Sequence, residues 1–217
     1  MRLALVSDFD GTISNDDFFY YVAEKYLTPA DLKPWYAYMQ GKKGHFAALQ
    51  EIYGKLRVKE SALQKFIRQI RIDKHFAAVA ALCCEQSLPL YICSAGCDYY
   101  IKIVLGEIMR KYQIKLITNY AAYSAEHGLQ LQKPDKNSWY YDEDLGVSKT
   151  KTVEVLQQLG YFVIYCGDGI PDLGAAAVAD KVFARKTLLE KCSAAGIAAE
   201  ELCSFAAVEA FIRKALA

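Results

Sequence analysis

The chain has 217 residues, 53% of them hydrophobic and 24% charged, so it is long and apolar enough to bury one substantial core. Its net charge of +1 at pH 7 argues against a nucleic-acid binder, which usually presents a strongly basic surface. No apolar run reaches the roughly 20 residues of a membrane-spanning helix, and the first residues resemble a strand followed by acids rather than a signal peptide. We therefore expect no nucleic-acid partner and no membrane partner.

The cysteines and histidines argue against two further kinds of site. The seven cysteines match no zinc-ligand spacing, and several lie in apolar stretches as small hydrophobic residues do. We expect free thiols and a reducing, cytoplasmic environment. Only three histidines are present, at His45, His75 and His127, which disfavours a histidine metal site or a Ser-His-Asp hydrolase.

The beginning of the chain predicts a buried strand with two acids at its end. Leu3–Val6 is an uninterrupted apolar run, typical of a strand buried on both faces of a parallel sheet. Asp8 and Asp10 follow it, and side chains two apart on an extended segment point to the same side. Two neighbouring carboxylates repel, so one of them holds a proton or both share a cation. Gly11 then permits a sharp bend, and a plain acidic turn is the alternative interpretation.

Four helical segments are predicted between this strand and the next, from apolar residues three and four apart. Asn15 or Asp16 is expected to cap the first, and Thr28-Pro29 to begin the second. A crossover between parallel strands needs only one helix, so the excess predicts a helical cap at residues 14–74, inserted into a core made of residues 1–13 and 75–217. Its many aromatic residues favour bundle packing, with a few left to line a pocket. The four segments are Asp16–Tyr26, Pro29–Met39, Gly44–Leu56 and Glu60–Ile70.

Strands and helices alternate through the rest of the chain. This order predicts an α/β fold built on a doubly wound parallel sheet, in which ligands bind at the carboxyl ends of strands. Helices are predicted at His75–Gln86, Asp98–Tyr112, Lys149–Leu159, Leu173–Ala179 and Phe205–Leu216, strands at Leu88–Cys93, Ile114–Asn119, Tyr161–Cys166 and Lys181–Ala184, a hairpin at Ala121–Gln132 and a surface loop at Lys133–Gly146.

Two of the later segments offer groups that bind an anion. Ser94, Ala95 and Gly96 follow the second strand and supply a hydroxyl and backbone N–H groups. Lys149 lies in the first turn of a helix capped by Ser148, where the macrodipole disfavours a cation and a bound phosphate would offset that cost. Helix capping and a solvated lysine are the plainer interpretations, and Lys151 is an equally placed candidate.

A further pair of acids follows the fourth strand. Asp168 and Asp172 flank Gly169 and Pro171 in a tight loop. Carboxylate oxygens in such a loop can hold Mg²⁺. The alternative is an acidic turn that caps the next helix.

Taken together and in this order, the motifs resemble the haloacid dehalogenase-like (HAD) phosphatase superfamily over essentially the whole chain. The helical insertion is similar to the C1-capped branch that includes phosphoserine phosphatase, and within it residues 119–148 and 183–192 look like the methionine-salvage phosphatases. Asp10, the acid two residues after Asp8, disfavours a dehalogenase of this superfamily. The matching residues are Asp8-Phe9-Asp10-Gly11-Thr12, Ser94, Lys149 and Gly167-Asp168-Gly169-Ile170-Pro171-Asp172.

The resemblance implies Mg²⁺-dependent hydrolysis of a phosphomonoester through an aspartyl-phosphate. Asp8 would be the nucleophile and Asp10 the general acid and base. Mg²⁺ would be held by Asp8, the Asp10 carbonyl and Asp168. The phosphoryl oxygens would be bound by Ser94, Ala95, Gly96 and Lys149, with Thr12, Gly169 and Asp172 as supporting residues.

The implied substrate is a small phosphorylated metabolite. Candidates are 2-hydroxy-3-keto-5-methylthiopentenyl-1-phosphate of methionine salvage, phosphoserine and pyridoxal phosphate. Asp17 stands where phosphoserine phosphatases have an acid after the first motif, and Arg57 or Lys55 is the candidate cation for a substrate carboxylate. A phosphotransferase or mutase, a catalytically silent phosphate-binding module, and a monomeric or homodimeric state all remain open at this point.

Overall fold

Seven strands form one sheet within residues 2–217, the part of the chain that the computed structural model describes. Their order is β4-β3-β2-β1-β7-β8-β9, and all neighbours are parallel except β3 and β4. A separate two-stranded hairpin joins β5 and β6. The strands are β1 Leu3–Ser7, β2 Leu90–Cys97, β3 Lys115–Ser124, β4 Gly128–Gln132, β5 Tyr141–Asp142, β6 Gly146–Val147, β7 Phe162–Gly167, β8 Lys181–Ala184 and β9 Ala199–Glu201.

Strand β1 lies at the centre of the sheet. Leu5 pairs with Leu90 of β2 on one side and with Ile164 of β7 on the other, and every residue of β1 is buried. From β1 the chain builds outward through β2 and β3 on one side and through β7 and β8 on the other. The reversal of strand order lies between β1 and β7, which is where open α/β sheets form their ligand crevice.

Helices cover both faces of the sheet. Leu3 and Leu5 of β1 pack with α5, α6 and α10, while Ala4 and Val6 pack with α7, α8 and α9, as the alternation of side chains along a strand requires. The helices are α1 Phe18–Tyr26, α2 Lys33–Met39, α3 His45–Tyr53, α4 Glu60–Ile67, α5 Phe76–Glu85, α6 Asp98–Lys111, α7 Lys149–Gln158, α8 Leu173–Val178, α9 Lys186–Ala195 and α10 Phe205–Leu216, with a 3₁₀ turn at Ile170–Asp172.

The segment α1–α4 leaves and rejoins the core at adjacent points. Ser14 and Ile72 form an isolated antiparallel bridge, and the Asp73 amide donates to the Ile13 carbonyl at 2.8 Å. The outer half of β3 pairs with β4 at the edge of the sheet, and this hairpin lies past the parallel strands, against α3 of this segment. There the Gln50 side chain donates to the Leu131 carbonyl at 3.1 Å.

The predicted α/β class with a doubly wound parallel sheet is confirmed, while several predicted boundaries are wrong. Helix α1 is capped by Asp17, whose Oδ1 accepts from the Phe19 amide at 2.7 Å, and not by Asn15 or Asp16. Helix α2 begins at Lys33, because Thr28 and Pro29 form a turn closed by Asp31. Strand β9, helix α9 and the short β5–β6 hairpin inside the predicted loop were not anticipated.

The cysteines are free thiols, as the sequence predicts. Five of them are buried and two, Cys84 and Cys203, are exposed. Within residues 2–217, no helix combines the length and the apolar character needed to cross a bilayer.

Phe18 ties the helical segment to the core. It is fully buried, stacks on Tyr100 with ring centroids 4.1 Å apart and meets Tyr53 edge-on at 5.4 Å. We expect Phe18→Ala to lower the free energy of unfolding by about 3–5 kcal/mol, through lost burial and the cavity left behind. Urea denaturation measures the change. The matched variant Tyr20→Ala, at a 60% exposed position of the same helix, should cost less than about 1 kcal/mol, and equal losses would contradict this account.

Candidate active site

Asp8 and Asp10 lie at the carboxyl end of β1, beside the crevice between β1 and β7. The Asp8 amide donates to the Cys166 carbonyl at 2.9 Å, which continues the strand pairing past the end of β1. Gly11 follows with φ of +70°, and a Cβ built there would lie 2.1 Å from Oδ2 of Asp168. Only glycine therefore lets the two acidic loops approach each other.

Lys149 reaches from the start of α7 to the carboxylates. Its buried Nζ lies 2.9 Å from Oδ1 of Asp8 and 2.6 Å from Oδ1 of Asp172. Burial alone would lower the pKa of Lys149, but Asp172 and Asp8 outweigh it and raise that pKa, so the ammonium stays charged. Lys151, the other candidate, is exposed and its Nζ lies 3.4 Å from the Tyr141 carbonyl, away from the site.

Asp172 organises the second acidic loop. Its Oδ1 accepts from the Tyr165 hydroxyl at 2.5 Å as well as from Lys149. Its Oδ2 accepts from the amides of Asp168 and Gly169 at 3.1 and 2.9 Å. With both oxygens engaged, Asp172 holds the loop and the lysine, and the Asp168 carboxylate is left at the edge of the cavity.

Asp10 is held by three donors from different elements. Its Oδ1 accepts from the Phe18 amide at 3.0 Å, and its Oδ2 accepts from the Tyr100 hydroxyl and, at 3.4 Å, from Ser94 Oγ. Burial raises the pKa of Asp10 to about 6, against the lowering effect of the Tyr100 and Phe18 hydrogen bonds. A carboxyl group with this pKa can give and take a proton near neutrality. Gly96 leaves the space that the Tyr100 hydroxyl needs, since a Cβ there would lie 1.6 Å from it.

The predicted anion cradle lies on the same cavity. Ser94, Ala95 and Gly96 all line it, and the Gly96 amide donates to Ser94 Oγ at 3.1 Å. Strand β2 runs through these residues to Cys97 instead of ending at Cys93, with a register shift against β3. The buried Asn119 side chain fixes the irregular stretch by donating to the Ala95 carbonyl at 2.9 Å.

The inner end of the cavity carries more negative than positive charge. Four carboxylates, from Asp8, Asp10, Asp168 and Asp172, face Lys149 and Lys186, whose Nζ lies 3.2 Å from Oδ2 of Asp168. Burial raises the pKa of Asp8 well above its ordinary value, opposed by Lys149 and reinforced by the other acids. Burial and Asp172 also raise the pKa of Asp168.

The donor set fits a hard divalent cation. Carboxylate oxygens of Asp8, Asp168 and Asp172 lie within 4.8 Å of one another. Oxygen donors with an excess of negative charge are what Mg²⁺ prefers. Because Asp172 is already bonded to Lys149, Tyr165 and two amides, Asp8 and Asp168 are the side chains with oxygens to offer.

The remaining predicted residues divide between those on the cavity and those outside it. Asp17 lines the cavity, and burial together with Asp10 raises its pKa to about 8. Thr12 is fully buried, and its hydroxyl makes no hydrogen bond within residues 2–217. The candidate cap cations are elsewhere: Arg57 donates to the Gly54 carbonyl, and Lys55 lies 3.7 Å from Asp31.

Sequence reasoning missed three polar groups that shape the site. Tyr100 is one of many aromatic residues and carries no local signal. Asn119 does carry a local signal, because it is a polar amide within an apolar strand. Lys186 lies after the end of β8, as other site residues lie after the ends of their strands. Its position directly after a predicted strand is the feature that could have identified Lys186 as a site residue.

His45 lies at the far end of the cavity as the first residue of α3. It is 8% exposed, its backbone amide donates to Oδ1 of Asp144 at 2.9 Å, and the buried Nδ1 of its ring has no hydrogen-bond partner within residues 2–217. Burial, with a smaller effect of Lys149, lowers the pKa of His45 to about 4. The ring is therefore neutral at pH 7.

We expect His45 to make the free energy of unfolding depend on pH. In the unfolded chain His45 has a pKa of about 6.5, so below this pH it binds a proton that the folded protein does not bind. The free energy of unfolding therefore decreases by up to about 3 kcal/mol as the pH falls from 6.5 to 4. His45→Phe should lose this part of the acid sensitivity, measured by urea denaturation at pH 7 and pH 4.5. His127→Phe, at an exposed position, is the control and should keep the wild-type dependence. An unchanged pH dependence in His45→Phe would refute the assignment.

Comparisons with known proteins agree with this geometry. The 2-hydroxy-3-keto-5-methylthiopentenyl-1-phosphate phosphatase of Bacillus cereus is 27% identical over 215 residues, covering 98% of this chain and 97% of that protein. A substrate-bound phosphoserine phosphatase complex superposes with a TM-score of 0.62 at 16% identity, covering 88% of this chain and 90% of that one. A phospho-aspartyl intermediate analogue of phosphoserine phosphatase gives a TM-score of 0.63 at 17% identity, with the same coverage. No protein-family model matches the chain.

Both kinds of comparison find phosphatases. The solved structures establish the fold, and the sequence relatives extend over nearly the full length of both chains. The protein has the fold of the HAD-like phosphoserine phosphatases and is similar along its whole length to the methionine-salvage phosphatases.

Proposed function

We propose that this protein hydrolyses a small phosphomonoester with Mg²⁺, through a phosphoryl group carried on Asp8. The proposal rests on one observation: a single cavity at the switch point of the sheet is lined by Asp8, Asp10, Lys149 and Asp168. The relative from Bacillus cereus, a phosphatase by name, supports the same reaction class.

In the first step an Asp8 carboxylate oxygen attacks phosphorus, and the bond from phosphorus to the alcohol oxygen breaks. Asp10 gives its proton to that oxygen, so a neutral alcohol leaves and an acyl phosphate remains on Asp8. The pKa of about 6 suits Asp10 to this task near neutral pH. Tyr100 and the Phe18 amide keep its carboxyl group oriented while the proton moves.

In the second step water attacks phosphorus and Asp10 takes up the water proton. The bond between phosphorus and the Asp8 oxygen breaks, which releases inorganic phosphate and restores both aspartates. Lys149, Ser94 and the Gly96 amide are placed to stabilise charge on the phosphoryl oxygens in both steps. Mg²⁺, held by Asp8, the Asp10 carbonyl and Asp168, would add positive charge at the phosphoryl group and favour the ionised form of Asp8.

Residues 14–74 would act as a C1-type cap on a core formed by residues 1–13 and 75–217. The adjacent chain crossings at Ser14 and Ile72 support this division, as does the contribution of Phe19, Trp35 and Tyr38 to the cavity wall. Such a cap would admit only small metabolites and would limit the entry of water.

The candidate substrates are the methylthiopentenyl phosphate named for the relatives and phosphoserine. The free thiols favour a cytoplasmic location.

Asp8→Asn should abolish turnover, because an amide cannot form the phosphoryl intermediate. The expected loss is about 10⁴-fold or more in kcat, measured as phosphate release from a panel of small phosphomonoesters. Brief incubation with ³²P-labelled substrate should label the wild type, with label released by hydroxylamine, and should leave Asp8→Asn unlabelled.

The control for this experiment is Asp135→Asn, which alters an exposed loop acid outside the cavity and should keep wild-type rates. Substantial turnover by Asp8→Asn would overturn the mechanism. Transfer of the label to a sugar hydroxyl in preference to water would indicate a mutase, and no labelling of the folded wild type would indicate a silent binding module.

Chelation should remove activity and Mg²⁺ should restore it. Adding Mg²⁺ to chelator-treated protein is also expected to raise Tm, since a cation that binds only the folded state stabilises it. Asp168→Asn should lose most of this shift, and Asp135→Asn should retain it. Full activity after exhaustive chelation, with no Tm response to Mg²⁺, would contradict the metal assignment.

A further inference from the structure

Lys186 has an unfavourable backbone conformation beside the proposed metal site. Its φ is +49°, in the left-handed region that residues other than glycine rarely adopt. Within residues 2–217, the other non-glycine residues with positive φ are Ser87 and Gln113. Each of these directly follows the C-terminal cap of a helix, α5 or α6, where a left-handed residue is common. Lys186 instead begins α9, so the ending of a helix does not explain its conformation.

The position of Lys186 in α9 is also unfavourable for a cation. The residue lies in the first turn of this helix, where the positive end of the macrodipole disfavours an ammonium group. Backbone and dipole therefore both cost free energy at Lys186. Such a cost persists where the surroundings compensate it. The compensating group here is the Asp168 carboxylate, whose Oδ2 lies 3.2 Å from Lys186 Nζ.

Gly11 provides the space for this ion pair. A Cβ built on Gly11 would lie 2.1 Å from Oδ2 of Asp168 and 2.7 Å from Nζ of Lys186. The carboxylate and the ammonium therefore both approach the bare backbone of the first acidic loop, immediately after Asp10 in the chain. The ion pair is thus part of the proposed metal site.

The two lysines that line the cavity differ in how firmly they are held. Lys149 is buried and paired with both Asp8 and Asp172. Lys186 pairs with Asp168, and 48% of its side chain is exposed, so its ammonium can leave the carboxylate without disturbing buried packing. A divalent cation shared by Asp8 and Asp168 would compete with this ammonium, because two positive charges beside one carboxylate repel each other.

We propose that Lys186 is a tethered competitor of the metal: its ammonium occupies the Asp168 carboxylate until Mg²⁺ displaces it, and this competition sets how tightly Mg²⁺ binds. The inference rests on the proposed function, because the cation concerned is the one that the reaction would use. Before Mg²⁺ binds, the ammonium offsets part of the negative charge at the inner end of the cavity. The consequence is weaker Mg²⁺ binding, since the ion has to displace a cation that is part of the chain.

Lys186→Met tests the inference, because it removes the charge and keeps both the length of the side chain and the need for a left-handed backbone. We expect the Mg²⁺ dissociation constant, measured by calorimetry on chelator-treated protein without substrate, to fall by about five- to tenfold. Lys186→Arg retains a cation and should stay near the wild-type value. Lys191→Met removes the same charge from an exposed position of α9 outside the cavity and should stay within about twofold of wild type, since a distant exposed charge is screened.

The thermal stability of the chelator-treated protein gives a second readout. Lys186→Met should lower Tm before Mg²⁺ is added and enlarge the rise in Tm on adding it, because the carboxylates then depend on the ion alone for this part of their stabilisation. In an Asp168→Asn background the same substitution should change Tm much less, since the partner of the ammonium is gone. A lysine with a merely structural role would lower Tm equally in both backgrounds.

An equal or larger Mg²⁺ dissociation constant in Lys186→Met than in the wild type would overturn the inference. Unchanged Mg²⁺ binding with weaker inhibition by inorganic phosphate would also overturn it and would assign Lys186 to the phosphoryl group. If the wild type binds Mg²⁺ but hydrolyses none of the esters, the proposed function fails, and the comparison of dissociation constants still decides this inference. If neither protein binds Mg²⁺ while both release phosphate, the metal assignment and this inference fail together.

Discussion

The structure depends on how buried carboxylates are stabilised at the centre of a sheet. Asp8 is 5% exposed and sits next to a strand with no exposed residue, so its charge is costly unless a partner offsets it. Lys149 provides that partner from the first turn of α7, and Asp172 bonds the lysine from the other side. Three elements distant in sequence are thereby fixed around one point, and the excess of negative charge that remains there favours a divalent cation.

A second consequence of the same arrangement concerns Asp10, the proposed general acid. Asp10 receives a hydrogen bond from the amide of Phe18, the first residue of α1, and another from the Tyr100 hydroxyl of α6. The Phe18 and Tyr100 rings stack on each other directly beside it. The packing of α1 against α6 and the orientation of Asp10 therefore depend on the same two residues.

The sequence allowed the sheet and the acid positions to be predicted because strand ends carry local signals: an apolar run, then polar residues at fixed spacing. The placement of Asp8, Asp10, Lys149 and Asp168 around one crevice follows from parallel topology. Tyr100 could not be predicted in this way, since its contact with Asp10 depends on how α6 packs. Nor could the choice between Lys149 and Lys151, which is decided by the direction in which each side chain leaves the same helical turn.

Strand β3 carries a constraint on motion. Its inner half pairs within the sheet and its outer half forms the hairpin with β4, on which Gln50 and the rest of α3 rest. The region of α3 that includes His45 is thus braced by a continuation of the sheet itself. Because Trp35 and Tyr38 of α2 pack on the His45 ring, a movement of α2 that widened the cavity would have to break its ring contacts with this braced helix.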